Sequence, residues 1–201
     1  FSKVLVANRG EIAVRIQQTL HIMGIRTVAV YSDSDTTAPH VLMADEAWAL
    51  EGDSANETYL DTEKLVHIAA QSGAEAIHPG YGFLSENPLF AVACRDRGIT
   101  FIGPSPESMR YLGDKIRSKQ IAQQAGVVTV PSSGICNGVD EIAKAFVAQW
   151  GFPLLVKAAA GGGGRGIRLV NGGGELAQAM NSASREAQAA FGDGRVFLER
   201  Y

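Results

Sequence analysis

Val4-Leu5-Val6-Ala7-Asn8-Arg9-Gly10-Glu11-Ile12-Ala13 opens the stretch that decides the fold. Val4 to Asn8 is a short apolar run of buried-strand type. Gly10 then starts a helical pattern with Ile12, Ile16, Leu20 and Met23 near a 3.6-residue period. Gly24 closes it, as a glycine just past a helix end does. Thr27-Val28-Ala29-Val30-Tyr31 is a second buried run, ended by Ser32-Asp33-Ser34-Asp35. Strand, helix and strand in that order make a right-handed βαβ unit with a parallel strand pair.

Working outward, the pattern repeats. Glu46 to Leu50 reads as a strand, Asp61 to Gly73 as a helix, and Ala76-Ile77-His78 as a strand. Ser85 to Gly98 reads as a helix capped by Ser85, and Thr100-Phe101-Ile102 as a strand. This predicts an α/β domain over residues 1–103 with a doubly wound, mostly parallel, Rossmann-like sheet. The breaker cluster Gly103-Pro104-Ser105-Pro106 sets a boundary. Two helical stretches, about 106–112 and 115–125, form a linker over 104–126. A small α+β unit is expected over 127–201. Its elements are a strand from Pro153 to Ala158, a glycine-rich loop, a strand from Ile167 to Val170 that pairs antiparallel with the first, a helix from Glu175 to Ala190 and a strand from Arg195 to Glu199.

Composition narrows the function classes. Of 201 residues, 46% are hydrophobic and 19% charged, a globular composition able to bury a core. Eighteen Lys and Arg against 21 Asp and Glu leave a net charge of −3, which excludes nucleic-acid binding through bulk positive charge. No apolar run approaches the roughly 18 residues that span a bilayer, so no membrane role is expected. Cys94 and Cys136 stand far apart and in no C-x-x-C pattern, which argues against a disulfide framework or a cysteine metal site and for a reducing compartment, the cytoplasm. The chain starts at Phe1 and stops at Tyr201 inside a strand-like run, so it reads as a piece of something longer.

The strongest chemical signal is Lys157-Ala158-Ala159-Ala160-Gly161-Gly162-Gly163-Gly164-Arg165-Gly166. Eight of the chain's 23 glycines fall within residues 161–174. A glycine run lets backbone N–H groups converge on phosphate oxygens, and a lysine on the preceding strand adds a directed positive charge. This is not a P-loop, because the lysine precedes the glycines and a strand follows them. A mobile flap over a nucleotide is expected instead. The first βα turn, Asn8-Arg9-Gly10, has a single glycine and lacks G-x-G-x-x-G, which argues against a dinucleotide cofactor. Asn8, Arg9 and Glu11 lie at the sheet edge where ligands bind, and two readings stand for them: ligand contacts, or turn-capping with a salt bridge. Tyr81, between Gly80 and Gly82, likewise reads either as a packed ring or as a ligand platform. His21, His40, His67 and His78 are scattered and read as structural or surface residues. Neither a catalytic base nor a metal-binding set is visible.

Val6-Ala7-Asn8-Arg9-Gly10-Glu11-Ile12-Ala13, His78-Pro79-Gly80-Tyr81-Gly82-Phe83-Leu84-Ser85-Glu86-Asn87, Phe101-Ile102-Gly103-Pro104, Gly113-Asp114-Lys115 and Lys157 to Gly166 stand in order along the chain. Together they resemble biotin carboxylase, the ATP-grasp component of biotin-dependent carboxylases, over essentially all 201 residues. The resemblance implies a pre-ATP-grasp N-terminal domain followed by the flap-bearing part of an ATP-grasp domain. It implies that MgATP activates bicarbonate as carboxyphosphate and that biotin, held on a carboxyl carrier domain, is carboxylated. Lys115 and Lys157 then look like nucleotide-binding lysines, and Gly163 and Gly164 like flap glycines over the phosphates. Glu199, Arg200 and Tyr201 look like the start of an adenine-binding hinge that acts mainly through its backbone. Tyr81 and Gly82 look like part of the wall against which biotin rests. The resemblance puts the magnesium ligands and the catalytic residues outside this segment. It implies a carboxyltransferase component as partner, homo-oligomers, and the cytoplasm, or the mitochondrial matrix in a eukaryote, as the compartment. Four positions depart from the family pattern: Ala160 replaces a first flap glycine, Arg200 a hinge lysine, and Gln18 and Ile22 an Arg and a Glu of the bacterial dimer contact. Two alternatives are another ATP-grasp ligase, against which the His78–Asn87 motif argues, and a non-catalytic nucleotide-binding module.

Overall fold

A computed structural model describes residues 1–160 and 166–201. The backbone separates into two compact units, Phe1–Arg110 and Tyr111–Tyr201.

The first unit runs β1 (Lys3–Val6), α1 (Gly10–Ile22), β2 (Arg26–Tyr31), α2 (Pro39–Met43), β3 (Glu46–Ala49), α3 (Thr62–Ser72), β4 (Ala76–His78), α4 (Pro88–Asp96) and β5 (Thr100–Phe101). The strands form one sheet in the order β3-β2-β1-β4-β5, and every pair is parallel. A strand directs alternate side chains to opposite faces, and the apolar run Val4 to Ala7 supplies both faces. Leu5 and Ala7 join Val28, Val30 and Ile77 in a core that also takes Leu65, Val66, Ile68 and Ala69 of α3 and Phe90 and Cys94 of α4. Val4 and Val6 join Ala76 and the α1 residues Ala13, Ile16 and Leu20 in a second core. Helices therefore cover both faces, as the βαβ grammar predicts.

The division falls inside α5 (Pro106–Gly113), and the second unit takes its last three residues. It continues with α6 (Lys115–Gln124), β6 (Ser132–Cys136), α7 (Glu141–Trp150), β7 (Leu154–Ala158), β8 (Ile167–Val170), α8 (Gly173–Phe191) and β9 (Val196–Arg200). Its sheet order is β6-β9-β7-β8, antiparallel throughout. Leu154, Val156, Val170, Val196 and Leu198 face α7 and α8 and pack with Ala143, Phe146, Leu176, Met180 and Ala183. The alternate positions, Leu155, Lys157, Phe197 and Glu199, share the other face.

Three local outcomes differ from the sequence expectation. The helix expected from Ser85 begins at Pro88, and its cap is Asn87, whose Oδ1 accepts from the N–H groups of Leu89 and Phe90 at 2.9 and 3.3 Å. Ser85 is still inside the preceding turn, its N–H donating to Gly82 O at 2.9 Å. Strand β6 and helix α7 were not anticipated. The β6 sequence Ser-Ser-Gly-Ile-Cys has no apolar run, and its register with β9 shifts between Ser132 and Ile135. There the Leu198 N–H donates to the Ser133 hydroxyl at 2.8 Å instead of to a backbone carbonyl.

Candidate functional site

In the first unit, parallel pairing of Val6 with His78 brings the ends of β1 and β4 to one edge of the sheet. Asn8, the second residue after β1, is buried there. Its amide donates to Pro79 O at 2.7 Å and Tyr81 O at 2.8 Å, and its Oδ1 accepts the Arg9 N–H at 2.9 Å. Gly80 fits against this amide at a φ of +66°, and a Cβ there would stand 2.7 Å from Asn8 Nδ2. Only glycine satisfies both demands. The Gly80 N–H donates to His78 Nδ1 at 3.0 Å, which puts any neutral-state proton of that ring on Nε2. Burial holds His78 below its ordinary pKa and so favours that neutral form.

This cradle presents Tyr81, 61% exposed, on the sheet edge beside Gly82. Its hydroxyl donates to Glu11 Oε1 at 2.6 Å, and that carboxylate raises the phenol above its ordinary pKa. Phe83 anchors the far side of the turn by stacking on Tyr59, centroids 5.1 Å apart. Arg9 points elsewhere. Its guanidinium bonds both oxygens of the buried Asp35, which also accepts the Tyr59 hydroxyl at 2.7 Å and the Ser32 hydroxyl at 3.2 Å. The Arg9 contact, opposed by burial and helped by Tyr59, brings the Asp35 carboxyl down to about 2. Asn8, Arg9 and Glu11 are thus all engaged with this chain's own groups, and two of the three hold the Tyr81 turn.

In the second unit, Lys157 projects from β7 onto the sheet face opposite α7 and α8. It lies diagonal to Glu199, since Leu155 is the residue paired with Glu199. The buried Glu199 carboxylate accepts from Lys157 through Oε1 and from Lys119 through Oε2. Burial works against its charge, but the two ammonium groups outweigh it and hold the carboxyl below its ordinary pKa. Lys115, one helical turn before Lys119, donates to Ala158 O at 3.3 Å, and its N–H reaches Ala159 O at 3.4 Å. Burial, and then the nearby Lys157 charge, lower the Lys115 pKa, with Glu199 offsetting part of this. Three lysines therefore gather about one carboxylate at the end of β7, an excess of positive charge suited to a polyanion. Gly163 and Gly164 lie outside the described residues. Gly166, where the loop re-enters, has φ +73° and would place a Cβ 2.9 Å from Ala158 Cβ.

Lys119 was missed in the sequence, although the i, i+4 spacing from Lys115 puts both on one helix face. Arg200 donates its N–H to Pro131 O at 3.0 Å and lies 5.0 Å over the Trp150 ring, while Tyr201 is exposed. Among the described residues there is no group of three His, Cys, Asp or Glu able to hold a metal ion. Glu199, the carboxylate of the lysine cluster, has both oxygens engaged and does not fit a magnesium ligand. No helix of the described residues is long and apolar enough to cross a membrane.

The family model "Biotin carboxylase, N-terminal domain" matches residues 1–109, and "Carbamoyl-phosphate synthase L chain, ATP binding domain" matches residues 114–201. The 2-oxoglutarate carboxylase small subunit of Hydrogenobacter thermophilus is 52% identical over 202 residues, covering 100% of this chain and 42% of that protein. The biotin carboxylase of Halalkalibacterium halodurans is 46% identical over 200 residues, covering 100% of this chain and 44% of that protein. Among solved structures, the biotin carboxylase–β,γ-ATP complex from Campylobacter jejuni superposes with a TM-score of 0.96 at 43% identity, over 100% of this chain and 45% of that one. The biotin carboxylase domain dimer of the H. thermophilus enzyme, in complex with MgADP, ADP and bicarbonate, superposes at 0.93 with 51% identity, over 100% of this chain and 44% of that one. The chain spans less than half the length of these relatives. With a parallel α/β unit, an antiparallel unit that carries lysines beside a glycine loop, and both family models in register with them, this chain belongs to the biotin carboxylase family.

Proposed function

We propose that this chain supplies the biotin-facing turn and part of the ATP pocket of an enzyme that carboxylates biotin with ATP and bicarbonate. The observation that carries the reading is the lysine cluster, where Lys119 and Lys157 share the single carboxylate of Glu199 and Lys115 stands near them on Ala158 O. Such a site has positive charge to spare and takes a triphosphate. Lys115 and Lys157 hold phosphate oxygens under the flap glycines Gly163 and Gly164, and Glu199 to Tyr201 begin the hinge that meets the adenine. When bound, MgATP would supply the phosphoryl group that activates bicarbonate. This chain's own residues bind and orient that nucleotide and neutralise its charge. Magnesium is held by residues other than those described, since Glu199 is committed to lysines. In the other unit, Tyr81 and Gly82 offer a ring and a bare backbone to the biotin heterocycle. The partners of this reading are a biotin carboxyl carrier domain and a carboxyltransferase component, with self-association as in the solved dimer. The compartment is the cytoplasm or an organelle matrix, as befits relatives named chloroplastic and mitochondrial and the two buried free thiols.

The test uses the full-length protein that contains this chain, assayed for biotin-dependent phosphate release from ATP in bicarbonate. Lys157→Gln removes a charge-assisted contact worth roughly 1.5–3 kcal/mol and should weaken ATP by about 10- to 150-fold. Lys115→Gln should act in the same direction. Unchanged ATP affinity in both variants would overturn the reading. Residues 1–201 alone should release no phosphate in response to biotin.

A further inference from the structure

We propose that Lys119 is a positioning residue for nucleotide binding, which acts through Glu199 to keep the Lys157 ammonium available to phosphate. The inference rests on the nucleotide reading of the cluster and assigns a residue which that reading does not need.

The geometry is asymmetric. The Lys119 ammonium donates to Val130 O at 3.0 Å as well as to Glu199 Oε2, and it lies 5.8 Å from the Phe197 ring centroid. It is tied to the backbone independently of the carboxylate. The Lys157 ammonium has Glu199 Oε1 as its hydrogen-bond acceptor among the described residues. Glu199 is 7% exposed, so water can do little to neutralise it, and its charge falls on the two lysines. With Lys119 fixed by Val130, half of the carboxylate is occupied and its orientation is set. The other oxygen then holds Lys157 with only part of its charge, and Lys157 can turn toward an arriving anion.

Without the Lys119 charge, the whole carboxylate falls to Lys157. That pair tightens in a half-buried setting, where Coulomb terms exceed their values in water. Phosphate must then compete with a full carboxylate for one ammonium. Lys115 cannot take over, because its Nζ is engaged with Ala158 O and it has no carboxylate partner among the described residues. The role thus depends on Glu199, which distinguishes it from a direct phosphate contact.

The experiment is a double-mutant cycle in the full-length enzyme, reading the KM for ATP and kcat of biotin-dependent phosphate release. Lys119→Gln removes the charge but keeps an amide that can donate to Val130 O, which preserves the fold. Its KM for ATP should rise roughly three- to tenfold with kcat within about twofold. Lys119→Arg, which keeps the charge, should restore KM to within about twofold. In a Glu199→Gln background, where no carboxylate competes for Lys157, Lys119→Gln should add little. An equal rise in both backgrounds would overturn the proposal, since Lys119 would then touch the nucleotide itself. No rise with Lys119→Gln, while Lys157→Gln weakens ATP, would overturn it too and leave the nucleotide reading standing. No effect of Lys157→Gln would overturn this role, and with Lys115→Gln silent as well the nucleotide reading would fall with it.

Discussion

The turn at Gly80–Phe83 and the lysine cluster about Glu199 are built on opposite principles. The turn is fixed by neutral hydrogen bonds from one buried amide, Asn8, and by a glycine that could be nothing else. The cluster is fixed by charge, with three cations around one anion. A turn that must hold a shape is best made from short, saturated, neutral contacts, because these do not change when a ligand arrives. A site that must take up a polyanion keeps unneutralised charge, and the protein holds that charge apart with a single carboxylate. The two regions should therefore answer differently to strain, pH and anions.

The largest effect should come from Gly80→Ala. An L-residue at this left-handed φ costs about 1–2 kcal/mol, and displacing the Asn8 amide strips one or two buried hydrogen bonds at about 1–3 kcal/mol each. Hydrogen–deuterium exchange should accelerate across residues 76–90, with residues 154–158 and 196–200 unchanged. Equal loss of protection in both regions would mean that the turn is not an independent device.

Acid offers the second contrast. Asp35 falls to about 2 from an unfolded value near 3.8, so its ion pair stabilises the first unit fully above about pH 4 and is lost as pH falls toward 2. The shift corresponds to about 2 kcal/mol. Asp35→Asn should flatten the acid limb of unfolding for that unit. Tyr59 marks the alkaline side. Burial, then Asp35, push its phenol up to about 12, so its contribution is complete below pH 10 and is lost as pH rises through 12. The Glu199 carboxyl is also lowered, so acid loosens the second unit as well.

Anions give the third contrast. Tripolyphosphate at ten times its Kd should protect the second unit by about 1.4 kcal/mol. It should leave the first unit unmoved, and Lys157→Gln should abolish the protection. Protection of residues 76–90 by the same anion would break the distinction between the two regions.

How legible these regions were follows from the same physics. Strands β1 and β2 of the first sheet are buried on both faces, so Val4 to Ala7 and Thr27 to Tyr31 announce themselves as nearly unbroken apolar runs. Helix α4 was set three residues early because Ser85, Asn87 and Pro88 all carry start signals. The choice is made by the backbone from Gly80 to Phe83, which holds positive φ at Gly80, Gly82 and Phe83 and keeps Ser85 in the turn. A positive φ at Phe83 has no sequence signature. Strand β6 was invisible because its pairing uses a serine hydroxyl in place of a ladder bond, and neither Ser133 nor Gly134 has β preference. Lys157 was legible from its glycine neighbours. Glu199 was read as a backbone element, because nothing local shows that a carboxylate on one strand meets lysines 42 and 80 residues away.

The smallest effect separates the two readings that the sequence left open for Tyr81. The ring is exposed, and its one described polar contact is the hydroxyl bond to Glu11. Tyr81→Phe removes that bond and keeps the face of the ring. If the ring serves biotin by contact, the KM for free biotin in the full-length enzyme should stay within about twofold, the range of ordinary surface changes. Tyr81→Ala removes the face and should raise the KM for biotin more than that for ATP. Glu11→Gln keeps a hydrogen-bond acceptor for the phenol and should behave as Tyr81→Phe does. The alternative is that the Glu11 bond is what matters, with the ring a strut that sets the turn. Tyr81→Phe and Tyr81→Ala would then raise the two KM values alike and to similar extents. The comparison at the sheet edge thus reduces to one atom, the phenol oxygen, and the ratio of the two KM changes decides what it does.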